Sequence, residues 1–151
     1  MKDITHETDA RKDWMGLLAK APAGRVTALL EALGARPRSI WLRKPEIGSV
    51  MVRGRAGGTG SPFNLGEMTV TRCALKLEDG TVGHAYIQGR RKEDAEAAAL
   101  VDALMQTARA PDVRSQVLEP LRSEVDQAKA ARAAKAAATK VDFFTMVRGE
   151  D

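Results

Sequence analysis

Arg53 and Arg55 open a run, RGRAGGTGSPFNLGEM from Arg53 to Met68, in which fixed positive forks stand beside a concentration of glycine. Six of the 13 glycines fall between Gly48 and Gly66. Glycine gives up more backbone freedom on folding than any other residue, so a domain concentrates it where left-handed φ or close backbone approach is wanted. From Arg43 to Arg91 there are eight basic and four acidic residues, and the rest of the chain is balanced, so the whole net charge of +4 sits in this middle third. Six of those eight are arginine, whose planar fork matches phosphate and carboxylate oxygens where lysine is only a point charge. The chemistry indicated is recognition of an anionic ligand or of an acidic partner surface. A solvated basic face is the alternative.

Other chemistries find little support. Cys73 is the single cysteine, so neither an internal disulfide nor a cysteine-held metal cluster follows from this chain. His6 and His84 are too few and too far apart to suggest a metal site, and none is expected. Six aromatic residues, not interleaved with the basic ones, make a poor stacking platform, so nucleic acid is not an expected partner. No Gly-Lys-Ser or Gly-Lys-Thr follows the glycine-rich run, and no dinucleotide fingerprint is present. No stretch reaches the roughly 20 apolar residues that span a bilayer, and MKDITHETDARKDW lacks the apolar core of a signal peptide. A cytoplasmic protein without a membrane partner is expected.

The elements that must hold the arginines can be read from periodicity. Asp9 is a candidate N-cap for a helix carrying Trp14, Leu17, Leu18 and Ala21, and Pro22 introduces a second carrying Val26, Leu29, Leu30 and Leu33, closed by Gly34. From Ser39 the period shortens, and Ile40 with Leu42, then Val50 to Val52, read as two short strands beside Pro37 and Pro45. The glycine-rich run reads as a loop. Glu67 to Leu77 and Thr81 to Gln88 flank Asp79-Gly80 as a hairpin. A two-residue turn there sets Leu77 opposite Val82, Leu75 opposite His84 and Cys73 opposite Tyr86, which places His84 among apolar neighbours as a core histidine and Cys73 as a small buried hydrophobe. Lys92 to Met105 forms a helix on the sheet, and Asp112 to about Lys140 a second, kinked or restarted at Pro120. The class expected is α+β: a small antiparallel sheet, an N-terminal helical hairpin, C-terminal helices and an extended C-terminal tail.

The end of the chain is set apart by composition. Residues 128 to 138, AKAARAAKAAA, combine high helix propensity with no large apolar anchor. Beyond them come Phe143, Phe144 and Met146. One domain over 1–140, ending in a helical arm, and a partner-docking tail over 141–151 are expected. Folding of the tail over the domain's own sheet is the alternative.

WLRKPEIGSVMVRGRAGGTGSPFNLGEMTVTRCALKLEDGTVGHAYIQGR and the ending ATKVDFFTMVRGE closely resemble the PhnG family, the small G subunit of the carbon-phosphorus lyase core complex. RKPE, MVRGRAGGTG, PFNLGEMTVTRC and DFFTMVRG carry the resemblance, which spans nearly the whole chain. It implies a subunit that works with the H, I and J core subunits, and with the L subunit in transferring an alkylphosphonate such as methylphosphonate to the ribose C1 of ATP. Adenine leaves, giving ribose 1-methylphosphonate 5-triphosphate. ATP is then a co-substrate of the complex, and no cofactor is expected on this chain alone. By the same resemblance, radical cleavage of the carbon-phosphorus bond belongs to the J subunit. Arg53, Arg55 and Arg72 become the candidates for phosphate or phosphonate oxygens, with the N–H groups of Gly57, Gly58 and Gly60 as an anion nest. Glu46, Asn64 and Glu67 would either orient a ribose hydroxyl or pair with an arginine. No nucleophile, general base or metal ligand stands out, so catalytic residues are not assigned. The expected role is a supporting subunit of a transferase complex, inactive alone; a purely structural assembly subunit is the competing reading, and an autonomous nucleotide-binding enzyme or a nucleic-acid binder would come from other classes.

Overall fold

A computed structural model describes residues 4–141, so the expectations for Phe143, Phe144 and Met146 lie outside the described residues. Helices α1 (Ile4–Ala19) and α2 (Arg25–Ala32) are followed by strands β1 (Ser39–Arg55), β2 (Pro62–Leu77) and β3 (Val82–Gln88). Then come α3 (Lys92–Leu104), α4 (Ala110–Val113) and α5 (Glu119–Ala138). The strands form one antiparallel sheet in the order β1-β2-β3. The α+β class, with helical segments on either side of the sheet in sequence, is the one the residues indicated.

The helical hairpin buries the stripe that its spacing indicates: Trp14, Leu17, Leu18, Ala21, Val26, Leu29 and Leu30 all join the core, with Leu33 half-buried against it. They meet Leu100, Val101 and Leu104 of α3, Cys73 and Leu75 of β2, Ile87 of β3, and Val113, Val117 and Leu121 beyond α3. α1 already begins at Ile4, so Asp9 lies inside the helix rather than capping it.

α3 approaches the sheet unusually closely because small residues face it. Ala95, Ala97, Ala98, Ala99 and Ala103 are buried, and a Cβ at Gly83 would stand 2.0 Å from the Ala99 carbonyl oxygen. Two buried carboxylates lock the layers. Asp102 is wholly buried and accepts from Arg11 Nε and Nη2 (3.1 and 2.7 Å), Trp14 Nε1 (2.9 Å) and the His84 N–H (2.9 Å). Asp94 accepts from the Gly24 N–H (2.8 Å), the Thr27 hydroxyl (2.9 Å) and Arg91 Nη1 (3.3 Å), tying α2 to the start of α3. A carboxylate can be kept in such a place only when its lone pairs are filled.

The hairpin register differs from expectation by one residue. The Gly80 N–H donates to Leu77 O and the Leu77 N–H to Thr81 O, with Gly80 at φ +90°, so the loop holds three residues, a turn followed by a left-handed glycine. Cys73 therefore faces Ala85, Leu75 faces Gly83, and His84 faces Ala74. A one-residue slip moves every side chain to the other face. His84 and Tyr86 are exposed, while Cys73 stays buried with its thiol donating to Ala95 O (3.2 Å).

Two further expectations change. The two short strands are one 17-residue strand, β1. Pro45 is accommodated because β1 is an edge strand, and the register shifts between Trp41 and Glu46 absorb it. Ahead of Pro120 the chain does not restart but widens: Arg114–Leu118 forms a π-helical turn leading into α5. That widening removes the clash a proline ring makes with the carbonyl four residues earlier. Arg122 pairs with Asp13 and Arg25 Nε donates to Glu124 (2.7 Å), securing the base of α5. From Val125 onward α5 is exposed.

Candidate functional site

The glycine-rich run is not a loop but the end of a two-stranded ribbon. β1 continues to Arg55 and β2 begins at Pro62, so only a short turn, Ala56–Gly58 with three residues after it, remains between them. β3 pairs with β2 only from Val70 onward, and past it Ser49–Arg55 and Pro62–Thr69 run on as a pair. At about 3.3 Å per residue this ribbon projects on the order of 20 Å from the three-stranded sheet.

Register sorts the candidate residues onto faces. Glu67 opposes Met51, Asn64 opposes Arg53, and Pro62 opposes Arg55. Residues 51, 53 and 55 of β1 share one face, so Arg53, Arg55, Asn64 and Glu67 come together on the side of the sheet that carries the helices. All four are exposed. Arg55 Nη1 donates to Gly60 O (3.2 Å) across the turn, and Arg53, Asn64 and Glu67 have no side-chain ion pair among the described residues. Between Val52 and Arg53 a register shift leaves Leu65 as an extra residue on β2. A Cβ on Gly54 would meet Leu65 and Phe63, which puts these two apolar side chains on the opposite face. They are 67% and 45% exposed, and such unsupported apolar surface calls for a cover.

Arg72 is separated from Arg53 and Arg55. It lies opposite Glu46, and its Nε donates to Glu46 Oε1 at 2.7 Å, with Arg43 3.4 Å from the same oxygen. This bond to Glu46 raises the guanidinium's proton affinity further, with a smaller contribution from Tyr86. Glu46 thus takes the arginine-pairing role, and the two side chains sit on the open face of the sheet. Arg91, counted in the basic surplus, is structural: it donates to Gln88 O (3.0 and 2.9 Å) and Ala21 O (2.8 Å).

At the turn, Gly57 and Gly58 take the left-handed φ of +61° and +79° that their residue type allows. The Gly60 N–H donates to Ala56 O (3.0 Å), so it is withdrawn from the expected nest of free amides. Among the described residues no three of His, Cys, Asp and Glu are grouped to hold a metal ion. Nor is any of their helices long and apolar enough to cross a membrane. What the arrangement offers is an exposed basic face with two apolar side chains behind it.

Sequence reasoning missed the buried pair of aspartates. Asp94 was legible only as a carboxylate in the first turn of a helix, and Asp102 carried no local signal, because its donors come from α1 and β3, far away in sequence.

Comparison with known proteins bears on what uses this surface. The family model described as phosphonate metabolism protein PhnG matches residues 9–149. A curated relative from Rhizobium meliloti (strain 1021), alpha-D-ribose 1-methylphosphonate 5-triphosphate synthase subunit PhnG, is 44% identical over 141 residues. That alignment covers 93% of this chain and 90% of the relative. With the whole ribbon and nearly all of the helical layer and the tail sequence inside the matched region, the chain belongs to the PhnG family of phosphonate metabolism proteins.

Proposed function

We propose that this chain is a supporting subunit of an assembly that makes α-D-ribose 1-methylphosphonate 5-triphosphate, the product named for its relative. In the reaction an oxygen of methylphosphonate, or of another alkylphosphonate, bonds to the ribose C1 of ATP, the C1–N bond breaks, and adenine departs with a proton. The chain's contribution is surface. The observation that carries this reading is the projecting ribbon, whose face gathers Arg53 and Arg55 with Asn64 and Glu67 beyond the reach of the chain's own core.

Arg53 and Arg55 supply charge-assisted donors to phosphate or phosphonate oxygens, and Asn64 and Glu67 orient a ribose hydroxyl or an arginine. Gly57 and Gly58 let the turn come close to that ligand. Arg72, held by Glu46, tunes the opposite face and is the weakest of the three arginines as a ligand. Partners are the H, I and J core subunits, with the L subunit joining for the transfer, in the cytoplasm. The tail from Val141 docks the chain by placing Phe143, Phe144 and Met146 in an apolar groove of a partner. The exposed Phe63 and Leu65 favour a second reading, in which the ribbon touches only protein and the chain is an assembly subunit without substrate contact.

The double variant Arg53→Ala with Arg55→Ala separates the two. In the reconstituted assembly it is expected to co-purify fully and to lower adenine release from ATP and methylphosphonate by 10-fold or more, about the effect of losing one or two charged anchors. Loss of co-purification assigns the arginines to a subunit interface; unchanged turnover returns them to solvent. Truncation before Val141 is expected to weaken association by several orders of magnitude, since each large apolar side chain buried is worth about 1.5 to 3 kcal/mol less the ordering of the tail. An unchanged stoichiometry on co-purification would sink the docking role.

A further inference from the structure

The β3 edge of the sheet is covered at Val82 and His84, the β1 edge is broken over Trp41–Glu46, and β2 is left without a neighbour where β3 ends. On the outer edge of β3 the Asp102 carboxylate of α3 accepts the His84 N–H (2.9 Å) and Gln106, just past α3, donates its Nε2 to Val82 O (2.9 Å), so side chains cover that edge at Val82 and His84. On β1 the edge is broken by Pro45 and by the register shifts from Trp41 to Glu46, with Arg43 and Lys44 beside them. Proline, irregularity and charge are the ordinary protections of an edge strand.

β2 is different where β3 has left it. The Leu77 N–H donates to Thr81 O, and Thr69 O accepts the Gly89 N–H, so odd-numbered residues of β2 turn their peptide groups toward β3. Alternation turns Glu67 the same way. There β3 is gone: Gly89 takes φ +87°, and the buried Thr71 hydroxyl donates to Gly89 O (2.7 Å) and accepts the Arg91 N–H (2.8 Å), steering the chain off into α3. The segment Phe63–Met68, interrupted by the extra residue Leu65, is left beside an empty lane. A two-stranded ribbon is marginal in water by itself, and this one displays Met51, Phe63 and Leu65.

We infer that the Phe63–Met68 edge of β2 receives an extended segment of another polypeptide of the assembly, paired in the lane that β3 vacates. The inference rests on the subunit reading above. Backbone hydrogen bonds supply affinity and alternate side chains supply selection. The incoming strand is amphipathic: its acidic side chains lie on the face of Arg53 and Arg55, and its apolar ones on the face of Phe63 and Leu65. Charge selects against a second copy of this chain, which would add two more arginines to that face and only Glu67 to balance them. A nucleic acid offers no peptide ladder to an edge.

Hydrogen exchange on the full chain, alone and in the reconstituted assembly, tests the inference, together with Glu67→Pro and Glu67→Gln. Proline removes the one N–H and leaves an edge position that tolerates it; glutamine keeps the N–H. The Glu67 amide is expected to exchange about 100-fold more slowly in the assembly than in the free chain. Glu67→Gln should co-purify with the other subunits and Glu67→Pro should not, while both melt with the wild type. Unaltered exchange at Glu67 on assembly overturns the inference, as does full co-purification of Glu67→Pro. Protection that grows with the concentration of this chain alone overturns it in favour of self-pairing. If Glu67→Pro melts early, the exchange of the wild-type chain decides. Failure of the wild-type chain to join the other subunits is a separate result, which removes the subunit reading and this inference together.

Discussion

At the scale of single residues, the polar groups divide into those that hold the fold and those left for others. Asp102 and Asp94 belong to the first kind, Asp102 surrounded by donors from α1 and β3 and Asp94 by donors from α2, its Gly24 cap and Arg91. Arg53 belongs to the second. Cys73 was readable as a buried hydrophobe from the pattern alone, since one cysteine in an alternating strand has no covalent partner. Burial pushes its thiol up to about 12 from an ordinary 9.0, with Glu96 adding to the shift. The folded chain therefore holds this proton where the unfolded chain releases it. The thiol's contribution to stability is complete below pH 9 and is lost as pH rises toward 12. Melting curves of the wild type and Cys73→Ala across that window should show the wild type losing stability relative to the variant as pH rises, and a constant gap would contradict it. Iodoacetamide should leave the native thiol unmodified at neutral pH and label it on unfolding.

At the scale of elements, the sequence disclosed what depends on short-range pattern and concealed what depends on strand pairing. Trp14, Leu17 and Leu18 announced α1 by spacing, and the stripe Ala97, Leu100, Val101 and Leu104 announced α3. The ribbon was concealed. Glycine and proline between Gly48 and Gly66 are poor strand formers, yet antiparallel pairing across the tip overrides that local preference. The slip at Asp79-Gly80 came from turn length, which a dipeptide does not fix, and it moved His84 from the core to the surface. Thus the arginines were legible as a group, while the division that sets Arg72 and Glu46 against Arg53 and Arg55 was not. Gly83 could not be read at all without the helix that presses on it. Gly83→Ala is expected to destabilise the chain by about 1 to 3 kcal/mol through overpacking against Ala99 O. Denaturant unfolding measures it, and a loss below about 0.5 kcal/mol, the range of ordinary surface changes, would mean that α3 yields freely.

At the scale of the whole molecule, a small core carries two projections. The ribbon leaves one end of the sheet, and α5, buried only at Leu121, leaves the helical layer toward the tail. Apart from Leu121, neither adds to the chain's own core. The central claim is that the chain enables phosphonate transfer without performing it. Adenine release from ATP and methylphosphonate, followed for this chain alone, for the other subunits alone and for the complete set, tests it most directly. The account predicts adenine only from the complete set. Adenine from the lone chain above a protein-free control, or an undiminished rate when the chain is left out, would contradict it.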